Sequence, residues 1–220
     1  MVKSVLCFGD SLTWGSNAET GGRHSHDDLW PSVLQKALGS DVHVIFTHEG
    51  LGGRTTAYDD HTGDCDRNGA RLLPTLLHSH APLDMVIIML GTNDMKPAIH
   101  GSAIVAFTMK GVERLVKLTR NHVWQVSDWE APDVLIVAPP QLCETANPFM
   151  GAIFRDAIDE SAMLASVFTY RDLADELDCG FFDAGSVART TPVDGVHLDA
   201  ENTRAIGRGL EPVVRMMLGL

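Results

Sequence analysis

Val5-Leu6-Cys7-Phe8-Gly9-Asp10-Ser11-Leu12-Thr13-Trp14-Gly15 is the stretch on which the reading of this chain turns. Val5 to Phe8 is a short apolar run stopped by a glycine, the pattern of a parallel strand buried on both faces. Asp10 and Ser11 follow at once, so Ser11 stands where the strand ends and a helix is predicted to begin. Such a junction sets free backbone N–H groups and the positive end of a helix beside the side chain. A serine in that place is either a helix N-cap or a nucleophile. The choice needs a base, an orienting partner and oxyanion donors from elsewhere in the chain.

Four more apolar runs follow. Asp41–Thr47 reads as strand two and leads into the glycine-rich turn Glu49-Gly50-Leu51-Gly52-Gly53-Arg54-Thr55. Met85–Leu90 is the clearest buried strand and ends in Gly91-Thr92-Asn93-Asp94; Val134–Ala138 and Phe181–Ala184 are predicted as strands four and five. Helical spacing runs through Leu29, Val33, Lys36 and Ala37, then over about Leu72–Ser79, then through Val105, Met109, Val112, Val116 and Thr119. It returns through Met163, Val167, Tyr170, Ala174 and Leu177, and again from about Ala200 to Leu218. Residues 16–28 and 58–69 read as polar loops, and 121–133 as a connector containing Trp124 and Trp129. Strands alternating with helices predict an α/β chain, a parallel sheet covered on both faces, in a single domain over residues 1–220. In such sheets the site lies beyond the carboxyl ends of the strands, near a topological switch point. Ser11, Gly53 and Asn93 each follow a strand and are expected at one edge.

The 220 residues suffice for a substantial core, and 45% hydrophobic with 21% charged residues is ordinary for a globular protein. A formal net charge of -12 argues against a nucleic-acid or anionic-membrane surface. The chain starts straight into a strand and holds no run of membrane-spanning length, so a cytoplasmic protein with reduced thiols is expected. Cys7, Cys65, Cys143 and Cys179 show neither C-x-x-C nor zinc-like spacing, and Cys7 and Cys179 are expected to act as small buried hydrophobes. No metal and no cofactor is expected. Asp64-Cys65-Asp66-Arg67-Asn68-Gly69 matches the first half of a calcium loop, but Thr75 stands where the bidentate Glu belongs, with Pro74 before it. With Arg67 and Arg71 adding positive charge, the stretch reads as a solvated loop or subunit contact. The histidines of His24-Ser25-His26 and His78-Ser79-His80 read as exposed loop or helix-end residues. Gly50-x-Gly52-Gly53 lacks the full dinucleotide fingerprint.

Asp194-Gly195-Val196-His197 sets a carboxylate three residues before an imidazole, in the loop leading into the last helix. That spacing lets Asp194 reach Nδ1–H of His197, fixing the tautomer and leaving Nε2 free as a base; the other reading is a structural Asp–His pair. Asn93 is either an ordinary strand-ending turn residue or an uncharged oxyanion donor. Gly53 is either a bland turn residue or a backbone N–H that no side chain obstructs.

Gly9-Asp10-Ser11-Leu12, Gly53, Gly91-Thr92-Asn93-Asp94 and Asp194-Gly195-Val196-His197 together resemble the four blocks of the SGNH (GDSL) hydrolase family, and they span nearly the whole chain. The wider runs Cys-Phe-Gly-Asp-Ser-Leu-Thr-Trp-Gly and Ile-Ile-Met-Leu-Gly-Thr-Asn-Asp are similar to its bacterial arylesterase/acyltransferase subgroup, whose members include perhydrolases. The resemblance implies a three-layer α/β/α sandwich, flavodoxin-like, with strand order 2-1-3-4-5. It implies Ser11 as nucleophile, His197 as base and Asp194 as its orienter. It implies oxyanion donors from the N–H groups of Ser11 and Gly53 and the side chain of Asn93, with Leu12, Thr92 and Val196 lining the acyl pocket. It further implies a homo-oligomer, a tetramer or octamer. The expected function is a serine esterase acting on small-molecule, short-chain aryl and alkyl esters, with acyl transfer to water, alcohols or peroxide. A carbohydrate O-deacetylase or thioesterase on the same triad is the alternative. A non-catalytic flavodoxin-like binding domain, with Asp10 and Ser11 in a binding loop, is the competing class and has no use for Asp194 and His197.

Overall fold

Five strands, β1 (Lys3–Gly9), β2 (Val44–Gly50), β3 (Met85–Met89), β4 (Asp133–Ala138) and β5 (Gly180–Asp183), pair in parallel in the order β2-β1-β3-β4-β5. This is the order the resemblance implies. The computed structural model describes residues 2–39, 43–100, 104–122, 130–154, 157–164 and 167–220. Its helices are α1 (Ser11–Trp14), α2 (Trp30–Leu38), α3 (Gly69–His80), α4 (Ile104–Arg120), α5 (Pro148–Phe154), α6 (Ile158–Leu164), α7 (Val167–Glu176) and α8 (Ala200–Leu218).

Two-residue periodicity in the central strands divides the interior into two cores. Val5, Cys7, Met85, Ile87, Leu135 and Val137 face Trp30, Leu34 and Leu38 of α2 and Ile206, Leu210 and Val214 of α8. Leu6, Phe8, Val86, Ile88, Val134 and Ile136 face α3, α4 and α7 through Leu73, Leu77, Val112, Val116 and Tyr170. Both faces are covered, so the strands are apolar without alternation. Each such side chain is worth roughly 1.5–3 kcal/mol in transfer from water.

Several sequence expectations are corrected. In α2 the buried face is Trp30, Leu34 and Leu38, while Lys36 and Ala37 are exposed. Met163 is 61% exposed, although Tyr170 and Ala174 are buried. The one expected helix over 163–177 is described as α6 and α7, and α5 had no counterpart in the reading. Cys7 is fully buried, but Cys179 only half so; all four cysteines are free thiols. Asp41, Trp124, Trp129 and the side chain of Val167 lie outside the described residues. Among the described residues no helix is long and apolar enough to cross a membrane.

Candidate active site

The strand order reverses between β1 and β3, and the segments leaving these two strands and β2 carry Ser11, Asn93 and Gly53. At the first junction Asp10, not Ser11, is the N-cap: its Oδ1 accepts from Leu12 N–H at 2.9 Å. Ser11 is the first residue of α1, so its hydroxyl is released from capping. One turn later Gly15, at φ 90°, ends the helix in the left-handed region that suits glycine. The turn lies tightly against β2, since a Cβ on Gly50 would stand 2.6 Å from Trp14 Cα and 2.7 Å from the Thr13 carbonyl carbon.

The partner of Ser11 arrives from the far end of the sequence. Ser11 Oγ lies 3.0 Å from His197 Nε2, and His197 Nδ1 lies 2.5 Å from Asp194 Oδ2. With Nδ1–H donated to the carboxylate, Nε2 accepts from the Ser11 hydroxyl. Asp194 Oδ1 meanwhile accepts the backbone N–H groups of Val196 (3.0 Å) and His197 (2.9 Å). Burial acts to raise the Asp194 pKa, but the hydrogen bonds from His197 and Val196 outweigh it and hold the carboxyl below its usual range. The loop is closed by Thr191 N–H to His197 O (2.8 Å) and Gly195 N–H to Thr191 O (2.9 Å). His24, expected to be exposed, is buried and holds this loop from outside: its Nε2–H donates to Leu198 O at 3.0 Å.

Gly53 adopts φ +80° in a turn closed by Arg54 N–H to Leu51 O at 3.0 Å. Among the described residues its N–H has no hydrogen-bond acceptor, and neither has that of Ser11, whose helix position offers none. Asn93 Nδ2 donates to Asp10 Oδ2 at 3.3 Å and to Arg54 O at 3.2 Å. Both bonds are long for N–H···O. A negatively charged oxygen is the stronger acceptor and can compete for either proton.

Three ionisable groups at this edge, Asp10, Asp94 and Arg54, belong to neither the expected triad nor the expected oxyanion donors. Burial pushes Asp10 up to about 6, against the Leu12 N–H bond and the positive charges nearby, and pushes Asp94 up to about 7 against its bonds from Thr56. Arg54, 3% exposed, donates Nη1–H to Gly9 O at 2.8 Å and to Glu49 O, and stacks 4.2 Å from the Phe8 ring centroid. Burial lowers its pKa to about 10, which leaves it charged at neutral pH. The sequence signal was available: each is an ionisable residue set just past a buried strand, where charge is expensive unless it is used. Leu12, Thr92 and Val196 are all buried; Leu12 packs in the core with α2, and Val196 borders a cavity of about 100 Å³ with Met150 and Phe154. In the half-matched calcium stretch, Asp64 lies 3.6 Å from Arg67 and Asp66 pairs with Arg71 at 3.0 Å, while the preceding Asp60 pairs with Lys96 (3.1 Å) and Arg67 (3.4 Å).

A hydroxyl, an imidazole and a carboxylate in series, beyond the carboxyl ends of a parallel sheet and beside free N–H groups, is the arrangement of the α/β serine hydrolases. The chain matches the GDSL-like lipase/acylhydrolase family over residues 5–210, and it belongs to that family. It is similar to the crystal structure of a carbohydrate acetylesterase family member from Sinorhizobium meliloti, at 68% identity, 100% coverage of each chain and a TM-score of 0.93. It is also similar to the native aryl esterase of M. smegmatis, at 40% identity, 98% coverage of this chain, 100% of the other and a TM-score of 0.89. A second carbohydrate acetylesterase from S. meliloti matches at 38% identity, 97% and 99% coverage and a TM-score of 0.87. No match was found among curated proteins.

Proposed function

We propose that this protein is a serine esterase cleaving short-chain carboxylic esters through an acyl-enzyme on Ser11. The observation that carries the reading is the unbroken series Ser11–His197–Asp194, with contacts of 3.0 and 2.5 Å. Ser11 Oγ attacks the ester carbonyl while His197 Nε2 takes its proton, and Asp194 stabilises the imidazolium that forms. The carbonyl oxygen becomes an oxyanion held by the N–H groups of Ser11 and Gly53 and by Asn93, which gives up part of a long bond to serve it. Collapse of this intermediate breaks the C–O bond, and the imidazolium proton goes to the departing alkoxide. Water, an alcohol or hydrogen peroxide then attacks the acyl-enzyme, with His197 again as base. Leu12, Thr92 and Val196 are proposed to border the acyl group, and the cavity beside Val196 supports this most directly for that residue.

A p-nitrophenyl ester series from acetate to long chains, read as kcat/KM for the wild type and Ser11→Ala, tests the reading. A steep fall with acyl length and no turnover in the variant are expected; full turnover in Ser11→Ala overturns it. Sugar O-acetates form the second reading, favoured by the identity to a carbohydrate acetylesterase family member. Comparing an acetylated oligosaccharide with an aryl acetate at matched concentration separates the two. The cytoplasm is the compartment proposed, in keeping with four free thiols, one of them the exposed Cys65. A homo-oligomer is proposed too, on the resemblance to the arylesterase/acyltransferase subgroup; light scattering on the purified protein tests it, and a monomer overturns it.

A further inference from the structure

Asp94 follows Asn93 at the end of β3, and the reaction proposed above makes no use of it. Its carboxyl is wholly buried and takes three hydrogen bonds from a single residue. Thr56 N–H donates to Oδ2 at 3.0 Å and to Oδ1 at 3.2 Å, and the Thr56 hydroxyl donates to Oδ1. Thr56 stands three residues beyond Gly53. The adjacent pair makes a parallel tie, Asn93 Nδ2–H to Arg54 O. The loop carrying Gly53 is therefore fastened to the end of β3 at two successive points.

Thr56 is fixed in turn from behind. Its carbonyl accepts Ala70 N–H at 2.8 Å, at the start of α3. On α4, a Cβ added to Gly111 would run into Thr56 Oγ1 and stand 2.6 Å from Thr56 Cβ. The hydroxyl thus lies between α4 and the Asp94 carboxyl, to which it donates.

We propose that the Asp94–Thr56 clamp sets the separation between the Gly53 N–H and the Asn93 side chain, making Asp94 and Thr56 positioning residues for the oxyanion hole. The inference rests on Gly53 and Asn93 being the oxyanion donors. A glycine at positive φ has a permissive backbone, so an N–H that must stand ready for a developing charge needs an outside constraint. An aliphatic pair at positions 56 and 94 would pack without burying a carboxyl, and such replacements commonly stabilise a fold. It could not supply direction. A carboxylate held by an N–H and an O–H of one residue fixes that residue's distance and rotation together.

The test is a double-mutant cycle between Asp94 and Asn93, read as kcat and KM on p-nitrophenyl acetate, with thermal unfolding of each variant. Asp94→Ala is expected to lower kcat by about 10²-fold, the penalty of a displaced group, with KM nearly unchanged. In the Asn93→Ala background the same change should cost less, about tenfold, because only the Gly53 N–H is left for the clamp to place. Thr56→Val, which removes only the hydroxyl, should lower kcat by about tenfold, and Thr56→Ser should restore it. Equal losses from Asp94→Ala in both backgrounds overturn the clamp while leaving the site reading intact. So does unchanged kcat in Thr56→Val, a variant that decides the matter even if Asp94→Ala does not fold. Full turnover in Asn93→Ala overturns the site reading, and the clamp with it.

Discussion

Which residue caps α1 decides what Ser11 can do. Asp10 satisfies the Leu12 N–H, and the Ser11 hydroxyl is left to His197. In the proposed reaction, His197→Ala should lower kcat by about 10³-fold or more, the residue being oxyanion and binding catalysis, as single-turnover rates on an aryl ester would show. Asp194→Asn preserves the acceptor for Val196 and His197 N–H but turns an N–H toward Nδ1. The imidazole must then present Nε2–H to Ser11, the wrong tautomer, and a loss of about 10³- to 10⁴-fold in kcat is expected. Asn93→Ala should lower kcat by about 10²- to 10³-fold with KM little altered, because the donor acts on charge that exists only in the transition state. An effect confined to KM would make Asn93 a substrate anchor instead. At this scale the sequence was legible where spacing is short: Asp194 and His197 lie three apart, so their contact follows from the chain itself. The link from His24 to Leu198 spans 174 residues and has no local signature. Asp10 and Asp94 could be located but not explained, since their partners Asn93 and Thr56 come from other strands' ends.

Elements were legible where apolar periodicity and burial agree. β3 and α8 were located to within a residue. α2 was misphased because Leu29 is buried but precedes the helix as its cap, so a face counted from Leu29 drifts onto Lys36. α5 escaped notice although its start is written plainly: Asn147 Oδ1 accepts the N–H groups of Phe149 (3.1 Å) and Met150 (3.1 Å), and Pro148 is the first helical residue. Seven residues including Gly151 are too few for a periodic signal. The contact of α1 with β2 yields a prediction of its own. Gly50→Ala drives a methyl into the backbone of Thr13 and Trp14, which cannot give as a flexible side chain would. A loss of about 1–3 kcal/mol in denaturant unfolding is expected, with a fall in kcat larger than the change in KM as Ser11 shifts. Unaltered stability and turnover would show that α1 is free to move.

For the whole molecule, the five-strand order follows from the family blocks more than from periodicity, which gives strands but not their neighbours. The pH dependence of stability follows from the buried carboxyls. Asp10 and Asp94 are raised above their unfolded values, so the proton each retains favours the fold at low pH, and that contribution is lost as pH rises through about 6 and about 7. Asp194 runs the other way: its contribution is present at neutral pH and is lost in acid. His48, lowered to about 4 by burial and by His26 and Arg23, likewise loses its contribution as pH falls. A difference measurement isolates Asp94 from these. Asp94→Asn keeps the shape and removes the charge, so its Tm relative to wild type should climb between pH 5 and pH 8. A Tm difference independent of pH would mean that Asp94 binds its proton equally in the folded and unfolded chains, with no shift on folding.

Ser11 and His197 are 186 residues apart in sequence and 3.0 Å apart in the fold. During synthesis the nucleophile leaves the ribosome long before its base has been made. Until α8 docks against α2 and carries the preceding loop into place, the nascent chain holds an inert serine and cannot acylate itself on cellular esters. Ester turnover is thus a reporter of a contact that joins the two ends of the chain. In refolding from denaturant it should return no sooner than the slowest phase of backbone hydrogen-exchange protection in α8.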